Sequence, residues 1–121
     1  MKLFVYGSLM QGQRNHDNLK DSAFLGEAET GAEFEMVTNG SIPIVRPGSE
    51  IVRGELYEVS DEVLKNIEVL EEVAAGLYKK IEIDVKGEKA VIFLGGTILE
   101  SDNWAKVEGG DWKKYRAAHG M

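Results

Sequence analysis

Tyr78-Lys79-Lys80-Ile81-Glu82-Ile83-Asp84-Val85, then Lys86-Gly87-Glu88, then Ala90-Val91-Ile92-Phe93-Leu94, is the stretch that decides the fold. In its first part Lys80, Glu82 and Asp84 take one side and Ile81, Ile83 and Val85 the other, the period-two pattern of a half-buried strand. Lys86-Gly87-Glu88 makes a tight turn. The apolar run that follows returns as an antiparallel partner, so the segment predicts a β-hairpin.

Working back toward the N-terminus, 51–59 reads as another strand, with Gly54 marking a bulge or a close approach of backbone. Ser60 is placed as an N-cap, and Asp61 and Glu62 suit the positive end of a helix. The best helix of the chain is predicted over 61–71, and Gly76 breaks the pattern after it. Further back, Ala32, Phe34 and Met36 alternate with Glu33 and Glu35, a half-buried strand followed by the turn signal Asn39-Gly40. Ile42 to Val45 is apolar, but Pro43 cannot donate to a ladder, so this piece belongs at an edge or in a loop. Leu3 to Tyr6 predicts a first strand that Gly7-Ser8 ends abruptly, and 15–19 predicts a short helix. Toward the C-terminus, Gly95-Gly96 closes the hairpin. Trp104, Val107, Trp112 and Tyr115 are large enough to cover the sheet, in two short pieces separated by Gly109-Gly110. Five or six strands and one main helix predict a mixed α/β (α+β) domain, a small sheet curled around the helix.

The 121 residues, 43% hydrophobic and 29% charged, suffice for one globular domain over 1–121 and not for two. There are no cysteines, which excludes disulfides, a thiolate nucleophile and thiolate metal sites, and suits the cytoplasm. His16 and His119 lie far apart, and no Asp-rich loop is present, so neither a zinc nor a calcium site is expected. A formal charge of -7 argues against nucleic acid as a partner. The apolar run near Met1 is too short for a signal peptide or a membrane span. The expected partner is a small molecule, with the oligomeric state left open.

Two places carry chemistry. On a helical wheel at roughly 100° per residue, Glu71 falls about 80° from Val63, within the apolar sector, whereas Glu68 and Glu72 lie farther round toward water. A carboxyl group turned from water has a raised pKa, which suits a general acid and base. The second place is Tyr6-Gly7-Ser8-Leu9, a strand end whose backbone N–H groups form a concavity for an anionic oxygen. It lacks the Lys-Ser/Thr of a phosphate-binding loop and the glycine spacing of a dinucleotide site. Arg14, Asn15 and His16 follow closely, and Arg14 has the donor fork to pair with a substrate carboxylate. No Ser-His-Asp arrangement is present to suggest a hydrolase triad.

The chain resembles the gamma-glutamylcyclotransferase-like family, which includes gamma-glutamylamine cyclotransferases and avirulence-induced-gene-like plant proteins. Phe4-Val5-Tyr6-Gly7-Ser8-Leu9 is similar to the family's F-x-Y-G-[ST]-L, and Gly12, Asn15 and His16 to its G-x-x-N-H. Ile42-Pro43, Gly54-Glu55-Leu56-Tyr57-Glu58-Val59, Ile67-Glu68-Val69-Leu70-Glu71 and Gly76-Leu77-Tyr78-Lys79-Lys80 follow in family order. Glu68 stands where the family usually has Asp, and Glu72 where many members have Gly.

The resemblance implies a barrel-like mixed α/β domain with a cavity. It also implies a cofactor-independent cyclotransferase, of amidine-lyase or acyltransferase type. Such an enzyme converts a gamma-glutamyl amine or amino acid to 5-oxoproline and frees the amine. On this resemblance Glu71 would be the catalytic residue, and Tyr6, Gly7, Ser8, Leu9 and Tyr78 would hold substrate; their position beside this loop adds Arg14 and Asn15 as substrate-binding candidates. Three other readings stand beside this one. The acidic residues Glu68, Glu71 and Glu72 suit a non-catalytic binding protein for a small cationic metabolite. A related lyase or acyl-handling enzyme is a second. Exposed Trp104 and Trp112 in one apolar patch would mark a partner-binding module.

Overall fold

Alternation in the sequence becomes strand pairing in the computed structural model, which describes residues 1–120. In chain order the elements are β1 (Lys2–Val5), β2 (Ala23–Glu29), β3 (Phe34–Thr38), β4 (Pro43–Pro47), β5 (Arg53–Glu58) and α1 (Asp61–Leu70). They continue with β6 (Tyr78–Val85), β7 (Glu88–Gly95), β8 (Ala105–Lys106) and α2 (Trp112–Ala118). The 6/7 hairpin has the predicted register, Tyr78 opposite Gly95 and Val85 opposite Glu88. Its two-residue turn puts Lys86 at φ 54° and Gly87 at φ 78°, the left-handed pair that matches the twist of the flanking strands.

Five strands form one sheet in the order β2-β5-β1-β7-β6. Central β1 is antiparallel to β5 and parallel to β7. Leu3, Phe4, Tyr57, Ile67 and Ile92 are fully buried and make the heart of the core. β4, β3 and β8 form a second sheet in that order, with proline-flanked β4 at an edge as its sequence requires. Ile44 of β4 lies so close to Gly95 that a Cβ on that glycine would sit 2.4 Å from its Cγ2.

The expectation of a curled or closed single sheet is corrected. The five-stranded sheet ends in two separate edges, β2 and β6, and does not close as a barrel. β3 pairs with β4 on one side and with β8 on the other, in a sheet of their own, and joins neither edge. β2 and β6 also carry mostly charged or exposed residues, which suits open edges. The count of one main helix is corrected as well, because the tail forms α2. Asp111 caps it, its side chain accepting from the Lys114 N–H, a start signal hidden behind Gly109-Gly110. Trp112 and Val107 are buried in the core, and Trp104 is half-buried. No apolar patch built on the two tryptophans supports a partner-binding module. The predicted short helix near residue 15 is a single 3-10 turn, His16–Leu19.

α1 begins as its sequence predicts, with the Ser60 hydroxyl accepting from the Val63 N–H at 3.2 Å. It ends one residue early, and Glu71 becomes its C-cap. The Glu72 N–H donates to the Val69 carbonyl and the Val73 N–H to the Glu68 carbonyl, both at 3.1 Å, the paired bonds of a Schellman stop. Such a stop needs a left-handed residue just past the cap, and here that residue is Glu72, at φ 51°. A glycine at this position would take the left-handed conformation without the steric cost that a side chain meets. Glu72→Gly is expected to raise stability by about 0.5–1 kcal/mol, the left-handed cost less the added freedom of the unfolded chain. Urea or thermal melts check it, and an unchanged or lowered midpoint would contradict it.

Candidate active site

β1 runs straight into the 6–9 loop. Tyr6 is buried, and its hydroxyl donates to the Phe93 carbonyl at 2.6 Å. Gly7 lies against Pro43, where a Cβ would come 2.8 Å from the ring, so no side chain fits there. The Met10 N–H donates to the Gly7 carbonyl at 3.1 Å, turning the chain. Among the described residues, neither the Ser8 nor the Leu9 N–H finds an acceptor. The loop then folds back on itself. The Asn15 backbone N–H donates to the Ser8 carbonyl at 2.9 Å, and Asn15 Nδ2 donates to Ser8 Oγ at 2.8 Å. His16 Nδ1 lies 2.9 Å from the Leu9 carbonyl.

This loop forms one wall of a cavity of about 250 Å³. All eight residues singled out from the sequence line it: Tyr6, Gly7, Ser8, Leu9, Arg14, Asn15, Glu71 and Tyr78. Glu71 arrives from the end of α1, where the Schellman stop fixes its backbone and turns its side chain inward. Burial pushes its carboxyl up to about 7. The negative end of the helix acts in the same direction, since it disfavours a carboxylate. Burial also raises Tyr6 and Tyr78 well above an ordinary phenol, with Tyr78 and Glu71 adding to it for Tyr6 and Glu71 for Tyr78. Both hydroxyls therefore stay protonated beside Glu71.

The acidic cluster does not share the cavity. Glu68 pairs with Lys80 at 3.4 Å, and Glu72 is exposed, which leaves Glu71 as the carboxyl of the three that lines it. Asn15 has a second duty that the sequence did not disclose, because its amide ties the loop to Ser8. Arg14 is exposed at the rim. Sequence reasoning missed the apolar walls Leu77, Phe93 and Ile98. They read as ordinary core or turn residues, and only long-range packing gathers them around Glu71. Among the described residues, no group of His, Asp or Glu side chains is placed to hold a metal ion, and no helix is long and apolar enough to cross a membrane.

The chain is similar to known proteins in sequence and in fold. It is 35% identical to the gamma-L-glutamyl-butirosin B gamma-glutamyl cyclotransferase of Niallia circulans, over 97% of this chain and 78% of that one. An uncharacterised Pyrococcus horikoshii protein superposes with a TM-score of 0.84 at 27% identity, covering 99% of this chain and 96% of that one. A mouse AIG2-like protein superposes with a TM-score of 0.65 at 29% identity, covering 79% and 76%. The model of the family described as gamma-glutamyl cyclotransferase, AIG2-like, matches residues 3–114, and the chain belongs to that family.

Proposed function

We propose that this chain cyclises the gamma-glutamyl group of a gamma-glutamyl amine or amino acid to 5-oxoproline, with Glu71 moving the proton. One observation carries the reading: a half-buried carboxyl pushed up to about 7 shares a small cavity with a loop whose N–H groups lack acceptors. Family membership supports the general reaction. The Niallia circulans relative is named for a gamma-L-glutamyl conjugate, which supports an N-acylated amine as the substrate class. The matched family is one of cyclotransferases, so a lyase description is not carried further.

In the proposed mechanism the substrate's alpha-ammonium gives a proton to the Glu71 carboxylate. The freed nitrogen attacks the gamma-carbonyl carbon of the same molecule. The oxyanion that forms is stabilised by N–H groups of the 7–9 loop or by the protonated Tyr78 hydroxyl. Glu71 returns that proton to the leaving nitrogen, the oxyanion collapses and the old amide bond breaks; the second proton of the ring nitrogen passes through the same carboxyl to the departing amine, so that neutral 5-oxoproline and the protonated amine depart. No water is consumed. The cavity's main task is to hold the glutamyl group bent for ring closure, which replaces a search through conformations by one geometry.

The test is 5-oxoproline release from a panel of gamma-glutamyl amino acids, gamma-glutamyl amines, glutathione and gamma-glutamyl-lysine. Release from at least one is expected. Tight binding without release from any would support the binding-protein reading instead. A pH dependence follows from the site. Glu71 must be ionised to accept a proton, so kcat/KM should rise with pH through an acid limb near 7 and level off above it. A profile flat between pH 5 and 8 would count against Glu71 as the base.

A further inference from the structure

Glu55 is buried, 4% exposed, yet it lies outside the cavity just described. It sits on β5 directly opposite Val5, the last residue of β1 before the 6–9 loop. Its Oε1 accepts from the Gln11 backbone N–H at 2.8 Å and from the Tyr57 hydroxyl at 3.0 Å. Its Oε2 accepts from Lys113 Nζ at 2.9 Å. Burial and the bond to Glu55 raise Tyr57 well above an ordinary phenol, so that hydroxyl remains a donor.

A buried carboxylate is costly unless it is paired and hydrogen-bonded, and replacing such a group by apolar residues is often neutral for stability. Stability alone therefore does not explain this one. A neutral acceptor would satisfy Gln11 and Tyr57. Only the charge recruits Lys113, and with it α2. The same helix reaches the loop a second time, where Arg116 donates to Gln13 Oε1 at 2.5 Å. Residues 7–16 are thus closed on themselves by Asn15 and His16 and held from behind by Glu55 and α2. Backbone N–H groups stabilise a developing charge only if they are already in place when it forms.

We propose that Glu55 is a positioning residue for the substrate loop, and that Lys113 and Arg116 make the C-terminal helix part of the site's support. The proposal rests on the reading of the 6–9 loop as the glutamyl-holding wall. Glu55 lies outside the cavity; it acts through Gln11, two residues beyond Leu9.

The test uses the full chain with Glu55→Gln, which keeps an acceptor for Gln11 but repels Lys113, and Lys113→Met, which keeps the packing stem at a partly exposed position. Lys113→Arg serves as the rescue. Amide hydrogen exchange at Met10 and Asn15, whose N–H groups are bonded within the loop to the Gly7 and Ser8 carbonyls, is expected to quicken at least about tenfold in Glu55→Gln and Lys113→Met, with the β1, β5 and β7 amides unchanged. On the best substrate of the panel, kcat/KM should fall about 10- to 100-fold, the scale of a small misplacement. The acid limb should stay where it is, because Glu71 is intact, and Lys113→Arg should restore most of both readouts. Loop exchange as slow as in the parent chain overturns the proposal. So does quickened exchange with kcat/KM within twofold of the parent. If the parent chain releases no 5-oxoproline at all, the functional reading fails, and the exchange measurement still decides whether Glu55 holds the loop.

Discussion

Glu71→Gln is expected to leave the chain folded and to lower 5-oxoproline release by at least about 100-fold, the usual scale for loss of a general acid-base group. Gln matches the carboxyl in size, so the cavity keeps its shape. It cannot take the alpha-ammonium proton, so the nucleophile is not formed. The same variant carries a second signature in stability. The folded-state pKa of about 7 lies above the ordinary 4.5, so the folded chain holds a proton that the unfolded chain has given up. Folding is therefore favoured most below about pH 4.5, and this contribution is lost as pH rises through about 7. The ionised group costs roughly 3 kcal/mol at most once that range is crossed. Removing the charge should make Glu71→Gln at least as stable as the parent chain at pH 8, with the gap closing toward pH 5. Thermal melts at the two pH values, beside the activity assay, check both signatures. Full activity would remove Glu71 from the mechanism, and a variant that melts early at pH 8 would mean its burial is not what raises the pKa.

Gly54→Val is expected to cost about 3 kcal/mol or more and to lower the melting temperature by about 10 °C or more. A Cβ at Gly54 would stand 2.2 Å from the Val5 carbonyl oxygen, 2.8 Å from Phe4 Cζ and 3.1 Å from the Val5 carbonyl carbon. The first and last are backbone atoms of the central strand and have nowhere to go. β1 is paired on both sides, to β5 and to β7, so pushing it away breaks two ladders at once. The clash falls at the last residue of β1, the point from which the 6–9 loop springs. Any fraction of Gly54→Val that folds should therefore also bind gamma-glutamyl substrates poorly. A melting temperature within a few degrees of the parent would show that the strands can part here at little cost.

Much of this was legible in one dimension. The hairpin could be read because period-two alternation and the Lys86-Gly87 turn are local properties. The start of α1 could be read from Ser60, Asp61 and Glu62 for the same reason. Glu71 could be placed on the inward side because its angle follows from helix geometry alone. Its termination signal was harder to read, since a Schellman stop normally shows a glycine and here shows Glu72. Gly54 was read as a bulge or a close approach. The structure decides for the close approach, and the register shift lies in β2, between Phe24 and Gly26. The open sheet escaped the sequence because closure depends on which strands find each other, and β3 carries no mark saying that β4 and β8 are its partners. α2 escaped because its cap, Asp111, follows two glycines.

By itself the sequence determined which residues of the hairpin face inward, where chains turn and that Glu71 lies on the inward side of its helix, all set by interactions a few residues long. The tertiary structure alone decided that Pro43, Phe93 and Leu77 wall the same cavity as Glu71, that Asn15 braces Ser8, and that a lysine near the C-terminus reaches Gln11 through Glu55. Those facts join residues separated by tens of positions, and no local periodicity encodes such a distance. Only the packing of β1 between β5 and β7, with α2 closing from behind, brings them within reach of a hydrogen bond.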